Sequence, residues 1–256
     1  MRGDRAARAF GAALALVLAA GCATGRDPRD PLEGFNRAMY RFNDGVDQAI
    51  AKPVATAYKA AVPDLMRDWV RNFFANIGDV FIGVNNLLQG KPIDALSDWA
   101  RVGFNTTFGL LGIADVASEL GIDKHNEDFG QTLGAWGVPS GPYVVLPFFG
   151  PSTLRDTAGL TADTLTDPLT RHKPVRERNA ATALRYTGVR ADLLGASDIL
   201  DEAALDKYSF QRDAWLQRRR SQIYDGSPPR EADPAAESGE NGAGAAVERS
   251  PATPDN

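Results

Sequence analysis

The 256-residue chain carries 43% hydrophobic residues, a net charge of −5 and a single cysteine. That is enough apolar material for one large domain or two small ones, and one cysteine excludes a disulfide within the monomer. Acidic and basic residues are interspersed along the body, without the basic face that nucleic-acid binding demands, so no nucleic-acid partner is expected.

Arg2, Arg5 and Arg8 precede an apolar run, Ala9–Gly21, which leads directly into Cys22. A basic start, a short apolar core and closing small residues make a signal peptide, and the run is too short to cross a bilayer. A cysteine directly after Leu18-Ala19-Ala20-Gly21 reads as a bacterial lipobox, with an ordinary signal peptide that happens to contain a cysteine as the plainer alternative. In the lipobox case residues 1–21 are removed and Cys22 carries S-diacylglycerol and an N-acyl chain, within a lipidated linker over 22–29. Ala23, where an inner-membrane retention signal has Asp, directs the product to the periplasmic face of the outer membrane. No other cofactor is expected.

Asp30-Pro31-Leu32-Glu33 predicts a helix start, with Asp30 as cap, Pro31 in the first turn and Glu33 reaching back. Phe35, Met39, Phe42, Val46 and Ile50 share one face, and Lys52-Pro53 is expected to end the helix. Asp64 opens a second apolar pattern through Met66, Trp69, Val70, Phe73 and Phe74, continued after a break by Ile77 to Leu88 and stopped at Gly90-Lys91-Pro92. A third helix is predicted from Pro92 to about Thr106. Phe108–Ala114 is apolar on all sides, so deep burial is expected, with contact to lipid as the alternative.

Phe129–Gly150 reads FGQTLGAWGVPSGPYVVLPFFG, and its glycines and prolines predict no helix and at most a short hairpin arm at Tyr143–Leu146. It is too rich in aromatic and aliphatic residues for a solvated loop. Helical spacing returns over Pro151–Leu165, Thr182–Leu200 and Asp201–Tyr224. The last ends in Arg218-Arg219-Arg220, read as solvated charge that favours the helix dipole, or else as a contact with anionic lipid or an acidic partner. Residues 226–256 are acidic, rich in Pro, Gly, Ala and Ser and nearly free of large apolar side chains, and are predicted to be a disordered tail.

Little catalytic chemistry is visible. His125 and His172 lie far apart, a nucleophile elbow is absent because Ser140 stands one place late, and no phosphate-binding loop is present. A carboxylate cluster at Asp123, Glu127 and Asp128 lacks calcium-loop spacing and is read as loop acids, so no metal is expected. The chain is expected to bind or conduct something, not to catalyse a reaction.

Three segments together resemble the MlaA/VacJ family. They are Asp30-Pro31-Leu32-Glu33-Gly34-Phe35-Asn36-Arg37 with Met39-Tyr40 and Phe42-Asn43; Phe104-Asn105-Thr106-Thr107-Phe108-Gly109 with Gly112–Ala117; and Glu127–Gly134, continuing through Gly141-Pro142-Tyr143 and Leu146-Pro147-Phe148 to Leu154-Arg155-Asp156. The resemblance implies an all-α fold over 30–225: a single ring-shaped domain of amphipathic helices with a Gly/Pro-rich hairpin loop, embedded in the inner leaflet of the outer membrane. It implies a central amphipathic channel that removes mislocalised phospholipids from the outer leaflet, a periplasmic lipid carrier that receives them, and an outer-membrane trimeric porin as partner. Ala75–Leu88 and Phe108–Ala117 would then supply the apolar belt. Phe129–Gly150 would be the gate, with Gly137 and Gly141 as hinges and Phe42, Asn43, Tyr143 and Phe148 as further channel or gate residues. The competing expectations are a structural or assembly lipoprotein that docks on a partner without moving lipid and, more remotely, a lipid-modifying hydrolase.

Overall fold

Glu33–Val46 forms the first helix, α1, yet its start is not built as the capping pattern predicts. Asp30 is fully buried and accepts from Asn36 Nδ2 at 2.7 Å and from the Tyr208 hydroxyl, while Glu33 pairs with Arg37 one turn on. Nor does Pro53 end the helix. The chain passes through a π-turn, Asp47–Ala51, into α2, Lys52–Ala61. The wide turn, in which the Lys52 N–H reaches back to the Asp47 carbonyl, accommodates a proline whose ring would clash in a regular helix. The computed structural model describes residues 27–229. The expected signal peptide, the lipidated Cys22 and nearly all of the acidic tail fall outside the described residues.

The remaining helices are α3 (Asp64–Leu88), α4 (Pro92–Thr107), α5 (Val116–Glu119), α6 (Phe129–Ala135), α7 (Leu154–Thr166), α8 (Pro168–Arg171), α9 (Val175–Asp192), α10 (Leu194–Ala203) and α11 (Lys207–Ile223). One antiparallel hairpin, β1 (Tyr143–Leu146) and β2 (Gly150–Thr153), pairs Tyr143 with Thr153 and Leu146 with Gly150. The fold is all-α, as the resemblance implies. Several boundaries differ from expectation: Pro151–Thr153, expected to be helical, lies in β2, and the stretch expected as one helix over Asp201–Tyr224 begins inside α10 and becomes α11 only at Lys207. The second helix runs unbroken for 25 residues; Phe129–Ala135 is helical despite its glycines, because Asp128 caps it by accepting from Gln131 N at 2.9 Å; and the pattern over Thr182–Leu200 is two helices meeting at Leu193.

The principal helix pair, α3 against α4, meets through polar side chains. Asn72, Asn76, Asp79 and Asn86 repeat along one face of α3, and Asp98, Arg101 and Asn105 along one face of α4. Arg101, only 1% exposed, lies 3.6 Å from Asp79, donates to Asp115 at 2.8 Å and reaches the Ile122 carbonyl at 2.6 Å. Asn86 Nδ2 donates to Asp98 at 2.7 Å, and Asn105 receives the Ala117 N–H at 2.8 Å. Burial pushes the Asp79 carboxyl upward against the pull of Lys124 and Arg101.

Buried apolar residues are few and four of them are alanines, whereas Ile93, Leu96, Phe104, Phe108, Leu110 and Leu111 all stand exposed. Phe108–Ala114 is therefore not deep core. It is a knuckle of turns in which Leu110 and Leu111 both take positive φ, 53° and 62°, followed by Gly112. Such backbone costs about 1–2 kcal/mol per non-glycine residue. It is held by bonds from Leu111 N to Thr106 O and from Gly112 N to Asn105 O, leaving its leucines outside. Polar groups turned inward and apolar ones outward reverse the arrangement of a water-soluble helical domain.

The reversal sets an order of sensitivities. Arg101→Met is expected to cost about 3–5 kcal/mol, because it takes the guanidinium away from Asp79, Asp115 and the Ile122 carbonyl at once. Leu96→Ala is expected to shift stability in detergent by less than about 0.5 kcal/mol, as a surface substitution does. Thermal unfolding of both variants in the same detergent checks the ranking.

Candidate functional site

The hairpin is attached to α1 through two asparagines seven residues apart. Asn36 accepts the Val145 N–H at 2.8 Å and donates to the Tyr143 carbonyl at 3.0 Å, so it pairs with the outer edge of β1 as another strand would. Two turns on, Asn43 donates to the Leu146 carbonyl at 2.9 Å and accepts the Phe148 N–H at 2.8 Å. Phe42 adds an edge-to-face contact with Phe148, ring centroids 5.3 Å apart. Phe42, Asn43 and Phe148 thus come together at the hairpin tip, where Phe148 has a φ of 66° and is 73% exposed.

Tyr143 sits elsewhere. It is buried with Val145 and Tyr208 against Met39, Tyr40, Trp215 and Leu216, so its ring anchors the base of the hairpin. Behind it Asp30 collects the Tyr208 hydroxyl, Asn36 and Arg212, the last at 3.3 Å.

Gly137 and Gly141 have φ of 85° and 67°, values that side-chain-bearing residues rarely adopt. A proline at Gly141 would be incompatible with that angle. On either side of Gly141 the chain is fastened to the start of α7, with Leu154 N donating to the Pro142 carbonyl at 3.2 Å and Arg155 N to the Ser140 carbonyl at 3.1 Å.

This segment and α11 enclose a cleft of about 1130 Å³. Val138, Pro139, Trp215, Leu216 and Ile223 give it apolar walls, and Arg155 and Arg219 give it polar ones. Arg219 is not solvated helix-end charge. It donates to Asp156 at 3.0 Å and makes a two-pronged pair with Asp128, tying α11 to the caps of α6 and α7. Although burial opposes it, Arg219 holds the Asp128 carboxyl below the usual carboxylate range. The α6–α7 contact is close enough that a Cβ on Gly159 would lie 2.4 Å from the backbone nitrogen of Gly130.

His125 bonds Asp98 at 3.0 Å and His172 bonds Glu177 at 3.1 Å, so neither is bonded to a serine. The three acids of the 123–128 loop are dispersed: the Asp123 carbonyl accepts from Ser97, Glu127 accepts from Gln89 and Asp128 is held by Arg219. No cluster with a metal-binding set forms among the described residues.

Asn36, Asp30, Arg219 and Trp215 were not marked as site residues by the sequence. The seven-residue spacing from Asn36 to Asn43 was the available signal, since it places both amides on one helix face.

The fold and its clamped hairpin define a helical protein of inverted polarity. The MlaA lipoprotein family model matches residues 28–222. The Escherichia coli (strain K12) intermembrane phospholipid transport system lipoprotein MlaA is 38% identical over 221 residues, covering 80% of this chain and 84% of that protein. The Shigella flexneri protein of the same description is 39% identical over 214 residues, with the same coverage. A solved structure described as "Structural basis for maintenance of bacterial outer membrane lipid asymmetry" superposes with a TM-score of 0.67 at 36% identity, over 76% of this chain and 98% of its own. The chain belongs to the MlaA lipoprotein family.

Two substitutions probe the site. Asn43→Ala removes both bonds at the hairpin tip and leaves the Phe148 N–H unpaired, at an expected cost of about 1–2 kcal/mol. Faster amide exchange at Phe148, with exchange in α3 unchanged, would show the loss to be local. Near the end of α7, where it accepts the Phe129 N–H, burial pushes Asp163 up to about 6, opposed by that N–H and aided by Asp128. The folded chain therefore holds that proton more tightly than the unfolded one, and stability falls as pH rises from about 4 to 6. Asp163→Asn is expected to add about 1–2 kcal/mol above pH 6 and almost nothing near pH 4, a difference that melting curves across that range will show.

Proposed function

We propose that this protein carries phospholipid out of the outer leaflet of the outer membrane toward the periplasm, as a ring-shaped body set in the inner leaflet. The observation that carries this reading is the reversed polarity. Exposed apolar side chains on α3, α4, the Phe108–Ala114 knuckle and α9 call for a lipid environment, while the polar side chains of the α3–α4 seam bond one another across it. Among the described residues no helix is long and apolar enough to cross a membrane. A body of that kind lies in one leaflet, and acyl groups on Cys22 would hold it there. The names of the relatives point the same way, to phospholipid movement between membranes.

In this reading lipid enters past the hairpin tip and moves along a passage that includes the cleft between 137–141 and α11. The apolar walls take acyl chains and the polar side chains face the headgroup. The Asn43–Phe148 clamp keeps the passage closed at rest, and Gly137 and Gly141 let the hairpin base turn. A periplasmic carrier protein accepts the lipid, and a trimeric porin shelters the assembly.

The test joins the hairpin to α1. With Phe42→Cys and Phe148→Cys linked by a short cleavable thiol reagent, cells are expected to accumulate phospholipid in the outer leaflet, and cleaving the link restores clearance. Clearance that continues with the link intact would overturn the gate. Outer-leaflet phospholipid that stays at the wild-type level in cells lacking the protein altogether would favour a docking lipoprotein that moves no lipid.

A further inference from the structure

The turn between α8 and α9 carries a concentration of exposed positive charge. Arg171, Lys173, Arg176 and Arg178 fall within eight residues, against Glu177 alone, in a chain whose net charge is −5. Arg171, Lys173 and Arg176 are exposed. The two acids nearest in sequence are committed elsewhere, Asp167 to Arg185 at 2.8 Å and Glu177 to His172 at 3.1 Å.

Most other arginines of the described chain are paired: Arg37 with Glu33 and Asp206, Arg190 with Asp47, Arg212 with Asp27 and Asp30, Arg219 with Asp128 and Asp156. Arg41 and Arg218 have no such pair among the described residues and stand singly elsewhere, whereas Arg171 and Arg176, also without one, stand together at this corner. Their placement does nothing for the helix either, because cations beside the start of α9 oppose its dipole. Charge held where it destabilises the local structure calls for a partner outside the chain.

The surroundings identify that partner. Val175, Tyr186, Val189 and Leu193 share one face of α9 at 3.6 residues per turn, and all four are exposed. Leu165, just before the corner, is exposed as well. An apolar stripe that ends in unpaired Arg and Lys matches a membrane surface, acyl chains under the stripe and phosphates under the cations, with the long stems of Arg and Lys bridging the two.

We infer that the α8–α9 corner is a binding surface for anionic phospholipid headgroups, with Arg171, Lys173 and Arg176 as its contacts. It sets the depth and tilt of the protein in the leaflet, because those cations stop at the phosphate layer while the stripe enters the hydrocarbon. The inference rests on the leaflet placement proposed above and adds a headgroup class to it.

The test is flotation of the mature chain carrying Cys22→Ser, so that the acyl anchor does not mask the contact, with vesicles of phosphatidylethanolamine alone or mixed with phosphatidylglycerol. The unaltered corner is expected to bind the mixed vesicles more tightly, by an increment that shrinks as salt is raised. Arg171→Glu, Lys173→Glu and Arg176→Glu together are expected to lower affinity for the mixed vesicles roughly 100-fold, at about 1 kcal/mol per cation removed. Binding to phosphatidylethanolamine alone and the melting temperature in detergent should stay unchanged.

Equal affinity of the unaltered protein for both vesicles, or an increment that survives the triple reversal, would overturn the proposal. So would a triple variant that keeps the increment but loses a complex with an acidic protein. Failure of the unaltered protein to bind phosphatidylethanolamine vesicles would count against the leaflet placement, and the phosphatidylglycerol increment would still decide the corner.

Discussion

Helices that meet through Asn, Asp and Arg must find their apolar surroundings elsewhere, and everything else in this molecule follows from that constraint. The α3–α4 seam closes around Arg101, whose guanidinium serves Asp79, Asp115 and a backbone carbonyl together. Because those groups are withdrawn from water, each is costly to leave unmatched, and the seam specifies one register of the two helices. The same choice sends Trp69, Phe73, Ile93 and Leu96 outward, where only lipid, detergent or another protein can cover them. Stability in such a molecule belongs jointly to the chain and to whatever covers it.

Against that rigid seam the hairpin is fastened differently. A two-stranded ribbon is marginal by itself, and this one is completed by side chains, Asn36 at its base and Asn43 at its tip. The base is buried beside Tyr143 and Tyr208, whereas the tip is exposed and rests on two hydrogen bonds and one aromatic contact. The two ends thus differ in how much must be broken to free them. Less must be broken to free the tip than to free the base.

How far the sequence carried depended on which physical signal was in play. Helix positions were legible from apolar periodicity and from stops such as Gly90-Lys91-Pro92, and the short arm at Tyr143–Leu146 was legible from its punctuation. The direction of the faces was not. Periodicity locates a stripe without saying whether protein or lipid covers it, so Phe108–Ala114 was read as deep core with lipid contact as the alternative, and Phe108, Leu110 and Leu111 stand exposed. Asp30 followed the cap pattern by residue type but answers to Tyr208 and Arg212, nearly 180 residues away, which no local pattern reveals. Arg219 misled for the same reason, its acids Asp128 and Asp156 being remote in sequence. At the candidate site Phe42, Asn43, Gly137, Gly141, Tyr143 and Phe148 were named in advance through family resemblance, and the clamp that joins Phe42 and Asn43 to Phe148 emerged only in three dimensions.

The π-turn at Asp47–Ala51 makes chain length itself a coded quantity. One extra residue in that turn rotates everything after it by about 100° relative to a regular helix. Upstream of it, Asn36 and Asn43 face the hairpin; downstream, Ala55 and Tyr58 face Ala191 and Leu194. Both alignments hold at once only because the additional residue is present. Removing any one of the five would leave composition and hydropathy almost untouched, yet it would force the chain to give up either its grip on the hairpin or its seat against α9. Substituting an exposed residue of this stretch leaves that alignment in place, and deleting one does not.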